Sequence, residues 1–189
     1  MADQDSELQL WHVAEPYLNL HCQLGEGPYY DRKTNVLRFV DIKKKQIHNF
    51  SLDRGPDSLE TIQLDVPVTV TANVEGVDPQ DKILVGLKYG AALLDRKTGQ
   101  YEYLTKFADD GHDNARLRSN DGAVDPHGRF WLGTMTDFGF GDFEPEGERV
   151  RPTSVSLPRG KANLGTQPLG IGLGAVQATR RGYAVMAVV

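Results

Sequence analysis

The feature that most restricts what this 189-residue chain can fold into is a repeat with a step of 47 residues. Three stretches follow one template: GPYYDRKTNVLRFVDI, VEGVDPQDKILVGLKYG and DGAVDPHGRFWLGTM. Each has a short apolar stretch, an Asp, a turn, then an alternating apolar strand. The anchoring acids are Asp31, Asp78 and Asp125. A repeat of ~40–50 residues made of short strands predicts propeller blades, because one small sheet buries its faces only by stacking on its neighbours. The fill agrees. KKKQIHNFSLDR and LETIQLDV follow the first anchor, AALLDRKTGQ and YEYLTKFA the second. Asp53-Arg54-Gly55 and Lys97-Thr98-Gly99 supply turns between strands. Nothing in 18–140 shows a helical stripe at spacing 3 and 4. A β-sandwich is the alternative architecture, and repetition at a single spacing disfavours it. The expectation is an all-β chain: a partial β-propeller of two full repeats and the opening of a third, where closure takes ~4–8 blades.

The pattern stops near residue 147. From residue 149 onward there are six basic residues and no Asp or Glu. All 26 acids and 15 of the 21 bases therefore lie in 1–148, which leaves that body at −11 and the tail at +6. The tail also has six Gly, three Pro, one aromatic residue and no blade anchor. Residues 10–147 are read as the propeller portion and 148–189 as an irregular, disordered basic tail. That tail looks foreign to the fold, as an altered reading frame, a retained intron or a truncated gene model would produce, rather than a second domain. The acidic body argues against a nucleic-acid backbone as partner. The scattered tail bases read as a solvated surface before they read as a contact for an acidic partner. No apolar run reaches the roughly 20 residues of a membrane span, and the acidic start has no signal-peptide pattern. Cys22 is the single cysteine, which excludes an internal disulfide and a cysteine zinc cluster. Cytoplasmic residence follows as the expectation.

Two polar clusters sit at corresponding places in the repeat: GEGP at 25–28 and RSNDG at 118–122. Glu26 lies five residues before Asp31, Asn120 five before Asp125, and the same step in the second repeat reaches Asn73. In a propeller the innermost strands line the central channel. Three polar side chains at one register would form part of a ring around that axis, suited to a hard cation or to hydroxyl groups. The plainer reading is that Gly-Glu-Gly-Pro and Asn-Asp-Gly are turns. Arg118 is the group placed to clamp a carboxylate or a hydroxyl-rich ligand.

At LGEGPYYD and RSNDGAVDPHGRFWLGTM, and in the strand set between them, the sequence resembles the senescence-marker-protein/gluconolactonase/regucalcin family. The resemblance covers roughly 10–147. It implies a six-bladed propeller, of which about the first half is present here. It also implies one divalent cation on the axis (calcium, zinc, magnesium or manganese) and hydrolysis of a sugar lactone. By that resemblance Glu26 matches the metal-ligand carboxylate, and Arg118 and Asn120 match groups that contact substrate. The remaining ligands implied, an Asn and an Asp from later blades, have no counterpart in this sequence. That Asp is also the implied general base, so no catalytic residue is assigned. The alternative is a non-catalytic metal- or partner-binding propeller fragment. DDGHDN at 109–114 is acidic but lacks the EF-hand pattern and reads as a solvated loop. GIGLGA at 170–175 lacks a third glycine at the right place and the strand–helix context of a dinucleotide loop.

Overall fold

The computed structural model of the chain describes residue 12, residues 14–107 and 115–141, and the backbone of two short strands at 162–163 and 184–188. The first sheet runs in chain order through β1 (Gly25–Asp31), β2 (Val36–Asp41), β3 (Gln46–Ser51) and β4 (Glu60–Gln63). The second contains β5 (Val68–Val74), β6 (Lys82–Leu87), β7 (Gly90–Asp95) and β8 (Tyr101–Lys106) in the same order. The third opens with β9 (Leu117–Val124) and β10 (Phe130–Thr136). All these neighbours are antiparallel. The fold is the all-β partial propeller expected. No helix among the described residues is long and apolar enough to cross a membrane.

The three repeated acids have one job. Asp31 Oδ1 accepts the backbone N–H of Lys33 at 2.9 Å, Asp78 Oδ1 that of Gln80 at 2.8 Å, and Asp125 Oδ1 that of His127 at 2.9 Å. A carboxylate that binds the backbone two residues on makes an Asx turn, which reverses the chain into the second strand of each sheet. The 47-residue step is the recurrence of that turn.

Stacking of the sheets builds the core. Val40, Ile42, Ile47, Val68, Ile83, Val85 and Leu87 fill the space between the first and second sheets. Val70, Leu84, Phe107, Leu117, Phe130 and Leu132 fill that between the second and third. β6 thus feeds both cores with alternate residues, as period-2 geometry requires. Gly86 belongs to the second interface: a Cβ there would lie 2.6 Å from Leu132 Cδ1 and 2.8 Å from Val70 Cγ1. The buried Arg38 on β2 donates Nε–H to Thr71 Oγ1 at 2.8 Å and an Nη2 proton to Asn73 Oδ1 at 3.1 Å, tying the first sheet to β5. Burial, and then the charge of Arg96, lowers the Arg38 guanidinium to about 10, so it remains cationic at neutral pH.

Two stretches of the tail join the sheets. β11 (Ala162–Asn163) pairs antiparallel with β5 at Val74 and Asn73. β12 (Ala184–Val188) pairs antiparallel with the outer side of β10, Phe130 facing Val188 and Thr134 facing Ala184. The outer edge of β10 is therefore covered. The rest of 148–189, for which disorder was expected, lies outside the described residues, as do GIGLGA and the DDGHDN loop.

Candidate functional site

The first strands of the three sheets stand side by side around the channel. β1 comes so close to β5 that a Cβ on Gly27 (φ +56) would meet the Thr69 carbonyl oxygen at 3.0 Å. β5 meets β9 through a buried hydrogen bond of 2.8 Å between the Thr69 and Ser119 hydroxyls. One end of this cluster is set by matching hydrogen bonds. The backbone N–H groups of Ile42, Lys88 and Asp137 donate to the carbonyls of Leu24, Pro67 and Arg116. Each bond closes the hairpin just outside Gly25, Val68 and Leu117, which face Asp41, Leu87 and Thr136 across it. Glu26 and Arg118 are the second residues of β1 and β9 and lie at this rim.

The two polar motifs lie inside strands, in β-bulges. In β1 the pairing jumps from Glu26–Val40 to Tyr29–Arg38, and in β9 from Ser119–Thr134 to Gly122–Leu132. Each inner strand therefore carries two extra-paired residues, Gly27-Pro28 and Asn120-Asp121, against a single partner residue. Gly122 is needed because a Cβ there would come 2.4 Å from the Trp131 carbonyl oxygen. The bulges also correct the register expectation. Counted from the bulge, Glu26 is level with Ser119, and Asn120 with Gly27. Asn73 does not join Glu26 and Asn120 in a ring: it sits near the far end of β5 and binds Arg38.

Arg118 is the best-held group at the rim. It is 3% exposed. One Nη1 donates to the Ser119 carbonyl at 2.8 Å and to Asn120 Oδ1 at 3.3 Å, and Nη2 to Met135 Sδ at 2.9 Å. Its Cζ lies 4.4 Å from the Phe138 ring centroid. Nε is 3.8 Å from Asp137 Oδ1 and has no hydrogen-bond acceptor among the described residues. Burial lowers the Arg118 pKa, opposed by the charges of Asp137 and then Glu26. Glu26 is therefore within electrostatic reach of Arg118, with β5 between their strands. Glu26 itself is exposed and has no hydrogen-bond or ion-pair partner among the described residues.

Asp137 and Lys88 belong to the same cluster and were not singled out from the sequence. Lys88 Nζ lies 2.6 Å from Asp137 Oδ2. Burial works against the Lys88 ammonium, but the hydrogen bond and charge of Asp137 outweigh it and leave its pKa above the ordinary value. Their signal was positional: each is the first residue past the second strand of its repeat. Bulges and unequal turns blur that position when residues are counted in steps of 47.

The donor set does not complete a cation site. No group of three His, Cys, Asp or Glu side chains suited to a metal occurs among the described residues. A hard divalent cation takes about six to eight oxygens with anionic charge among them. Glu26 and the Asn120 amide are too few, and the Arg118 guanidinium adds positive charge beside them.

Residues 24–163 match the family model described as SMP-30/Gluconolactonase/LRE-like region. The chain is 33% identical over 141 residues to the cell growth-regulated gene 1 protein of Candida albicans, covering 68% of this chain and 42% of that protein. It is 35% identical over 112 residues to a 6-deoxy-6-sulfogluconolactonase of Pseudomonas putida, covering 59% and 35%. The solved structure of a calcium-binding protein, regucalcin, from Agrobacterium tumefaciens superposes with a TM-score of 0.51 at 27% identity, covering 60% and 35%. The chain thus spans less than half the length of these relatives.

Proposed function

The chain belongs to the SMP-30/gluconolactonase/LRE-like family, and from that premise we propose that it carries the substrate-orienting part of a sugar-lactone hydrolase site. The observation that supports this most is the buried Arg118 at the rim, with an Nε–H that no acceptor among the described residues satisfies. A buried guanidinium donor left unpaired is costly, and an oxygen of a bound ligand relieves that cost. In this reading Arg118 donates to the lactone carbonyl or an adjacent hydroxyl, and Asn120 holds both the guanidinium and a ligand hydroxyl. Asp137, held by Lys88 at 2.6 Å, stands 3.8 Å from the same Nε and keeps the guanidinium in place. In the reaction, water adds to the lactone carbonyl carbon and the ring C–O bond breaks. The departing ring oxygen takes up a proton and becomes a hydroxyl, and the product is the open-chain acid. Donors aimed at the carbonyl oxygen stabilise the charge that develops there.

Glu26 is proposed as one anionic ligand of a divalent cation, calcium being the one named for a relative. A cation held there with ligands beyond the described residues would supply polarisation of the lactone carbonyl. The described residues supply only this carboxylate towards it, so weak metal binding and little turnover are expected from the 189-residue chain by itself. A second reading, sugar-acid binding without turnover, is favoured by the state of Asp137: its carboxylate is bound to Lys88 and is not free to activate water.

Hydrolysis of glucono-δ-lactone in a pH-stat, with and without calcium, separates the readings. Calcium-stimulated hydrolysis that Glu26→Gln removes supports the first. Background rates together with gluconate binding that Arg118→Ala abolishes support the second. Background rates with no gluconate binding contradict both.

A further inference from the structure

The residues just past β2, β6 and β10 enclose more than the Arg118 cluster. Ile42, Lys88 and Asp137 occupy one position in three successive sheets, as their matching backbone hydrogen bonds show. With the residues next in the chain, Lys43, Tyr89 and Phe138, they line an open cleft of about 450 Å³. That is room for a molecule the size of a monosaccharide with a substituent. The cleft adjoins the candidate site: Asp137 lies 3.8 Å from Arg118 Nε, and the Phe138 ring centroid 4.4 Å from Arg118 Cζ.

Its charges do not cancel. Lys43, Lys45 and Lys88 line it against Asp65 and Asp137. Lys88 and Asp137 neutralise each other at 2.6 Å. The Asp65 carboxylate accepts the Tyr101 hydroxyl at 2.8 Å, while among the described residues Lys45 Nζ donates to the neutral Asp65 carbonyl, also at 2.8 Å. Lys43 is exposed, stands 5.1 Å from the Phe138 ring centroid and meets no acid among the described residues. The lining thus carries one net positive charge: Lys43 stands beside the ring that Arg118 also faces, and Lys45 shares the cleft with the Asp65 carboxylate without an ion pair to it among the described residues.

We propose that this cleft binds an oxyanion carried at the far end of a sugar acid or lactone seated at Arg118, with Lys43 and Lys45 as its contacts. The inference rests on the sugar-lactone reading and narrows it to substrates bearing a phosphate, sulfonate or second carboxylate. A neutral lactone leaves both lysines unmatched, whereas a tethered oxyanion gains charge-assisted hydrogen bonds from them.

Titration calorimetry on the full chain tests this with gluconate 6-phosphate, gluconate and inorganic phosphate as probes. Gluconate 6-phosphate is expected to bind about tenfold tighter than gluconate at low salt, the scale of one strong charge-assisted contact. That advantage shrinks as salt is raised, and inorganic phosphate reduces it by competition. Lys43→Gln, and separately Lys45→Gln, lower the affinity ratio roughly threefold each, in keeping with partly exposed charges. An unchanged circular-dichroism spectrum confirms that either variant folds. Equal affinities for the two sugar acids, or a preference that both substitutions leave intact, overturn the proposal. A preference for the phosphorylated acid together with gluconate binding that Arg118→Ala leaves intact supports the cleft and counts against the seat at Arg118. Gluconate binding that Arg118→Ala abolishes, without that preference, does the reverse.

Discussion

The first and third sheets are built from the same template but are assembled differently. In the first, four strands follow one another in the chain, and a four-residue turn at 42–45 leads from β2 to β3. In the third, β9 and β10 form the same opening hairpin, yet the strand beside β10 is β12, which begins at Ala184. A contiguous hairpin closes a short loop, whereas the β10–β12 pair must first order a long one and repay its closure entropy through few contacts. The comparison teaches that the Asx-anchored hairpin is the recurring local unit of this fold. What covers that hairpin's outer edge is a separate matter.

The largest test of that contrast is truncation after residue 147. Removing β12 bares the outer edge of β10, and a bare edge pairs with other chains. Sheets one and two are expected to keep slow amide exchange, while β10 loses protection and the protein self-associates in size-exclusion chromatography. Unchanged protection at Phe130–Thr136 would show that β12 contributes nothing there. Next in size is Leu132→Ala, which empties the interface between the second and third sheets. It should cost about 2–5 kcal/mol in urea unfolding, because Leu132 is fully buried against Gly86 and Val70. A loss well below 1 kcal/mol would mean that the third sheet is not docked on the second.

A smaller effect separates the turns by pH. Burial pushes the Asp125 carboxyl up, but hydrogen bonds from Trp131 Nε1, from the backbone and side chain of Arg129 and from the His127 backbone outweigh it, holding its pKa well below the ordinary carboxylate range. A pKa depressed in the folded state means stability that is present above the unfolded value of about 4 and is lost as pH falls through the folded one. The third sheet should therefore weaken on acidification below about pH 4, and Asp125→Asn should flatten that dependence. Amide exchange in β10, followed between pH 3 and 6, reads it. An equal slope in the variant would assign the acid sensitivity to other groups.

Sheet architecture was legible in the sequence because its determinants are local. An Asp, a turn and an alternating strand recur at a fixed step, and each Asp binds the backbone two residues on. The placement of Arg118 and Asn120 on an inner strand was legible for the same reason. The exact facing of polar side chains was not. Bulges in β1 and β9 add residues without lengthening the ladder, so equal offsets from Asp31, Asp78 and Asp125 do not give equal positions on the channel. Asn73 looked equivalent to Glu26 but is bound by Arg38, a long side chain reaching over from another sheet. Lys88 and Asp137 were missed because they meet only when two sheets stack, and nothing in either local sequence announces the partner.

The central claim is that Arg118 at the channel rim holds a sugar-derived oxygen with a donor the protein leaves unsatisfied. Calorimetric titration of gluconate into the wild type, Arg118→Lys and Met135→Leu tests it most directly. Lysine keeps the positive charge but loses the planar fork and its Nε–H. Met135→Leu removes a guanidinium contact that the ligand does not use. The account predicts that Arg118→Lys weakens gluconate binding by at least about tenfold, while Met135→Leu changes it little. Gluconate affinity that survives Arg118→Lys would contradict the claim.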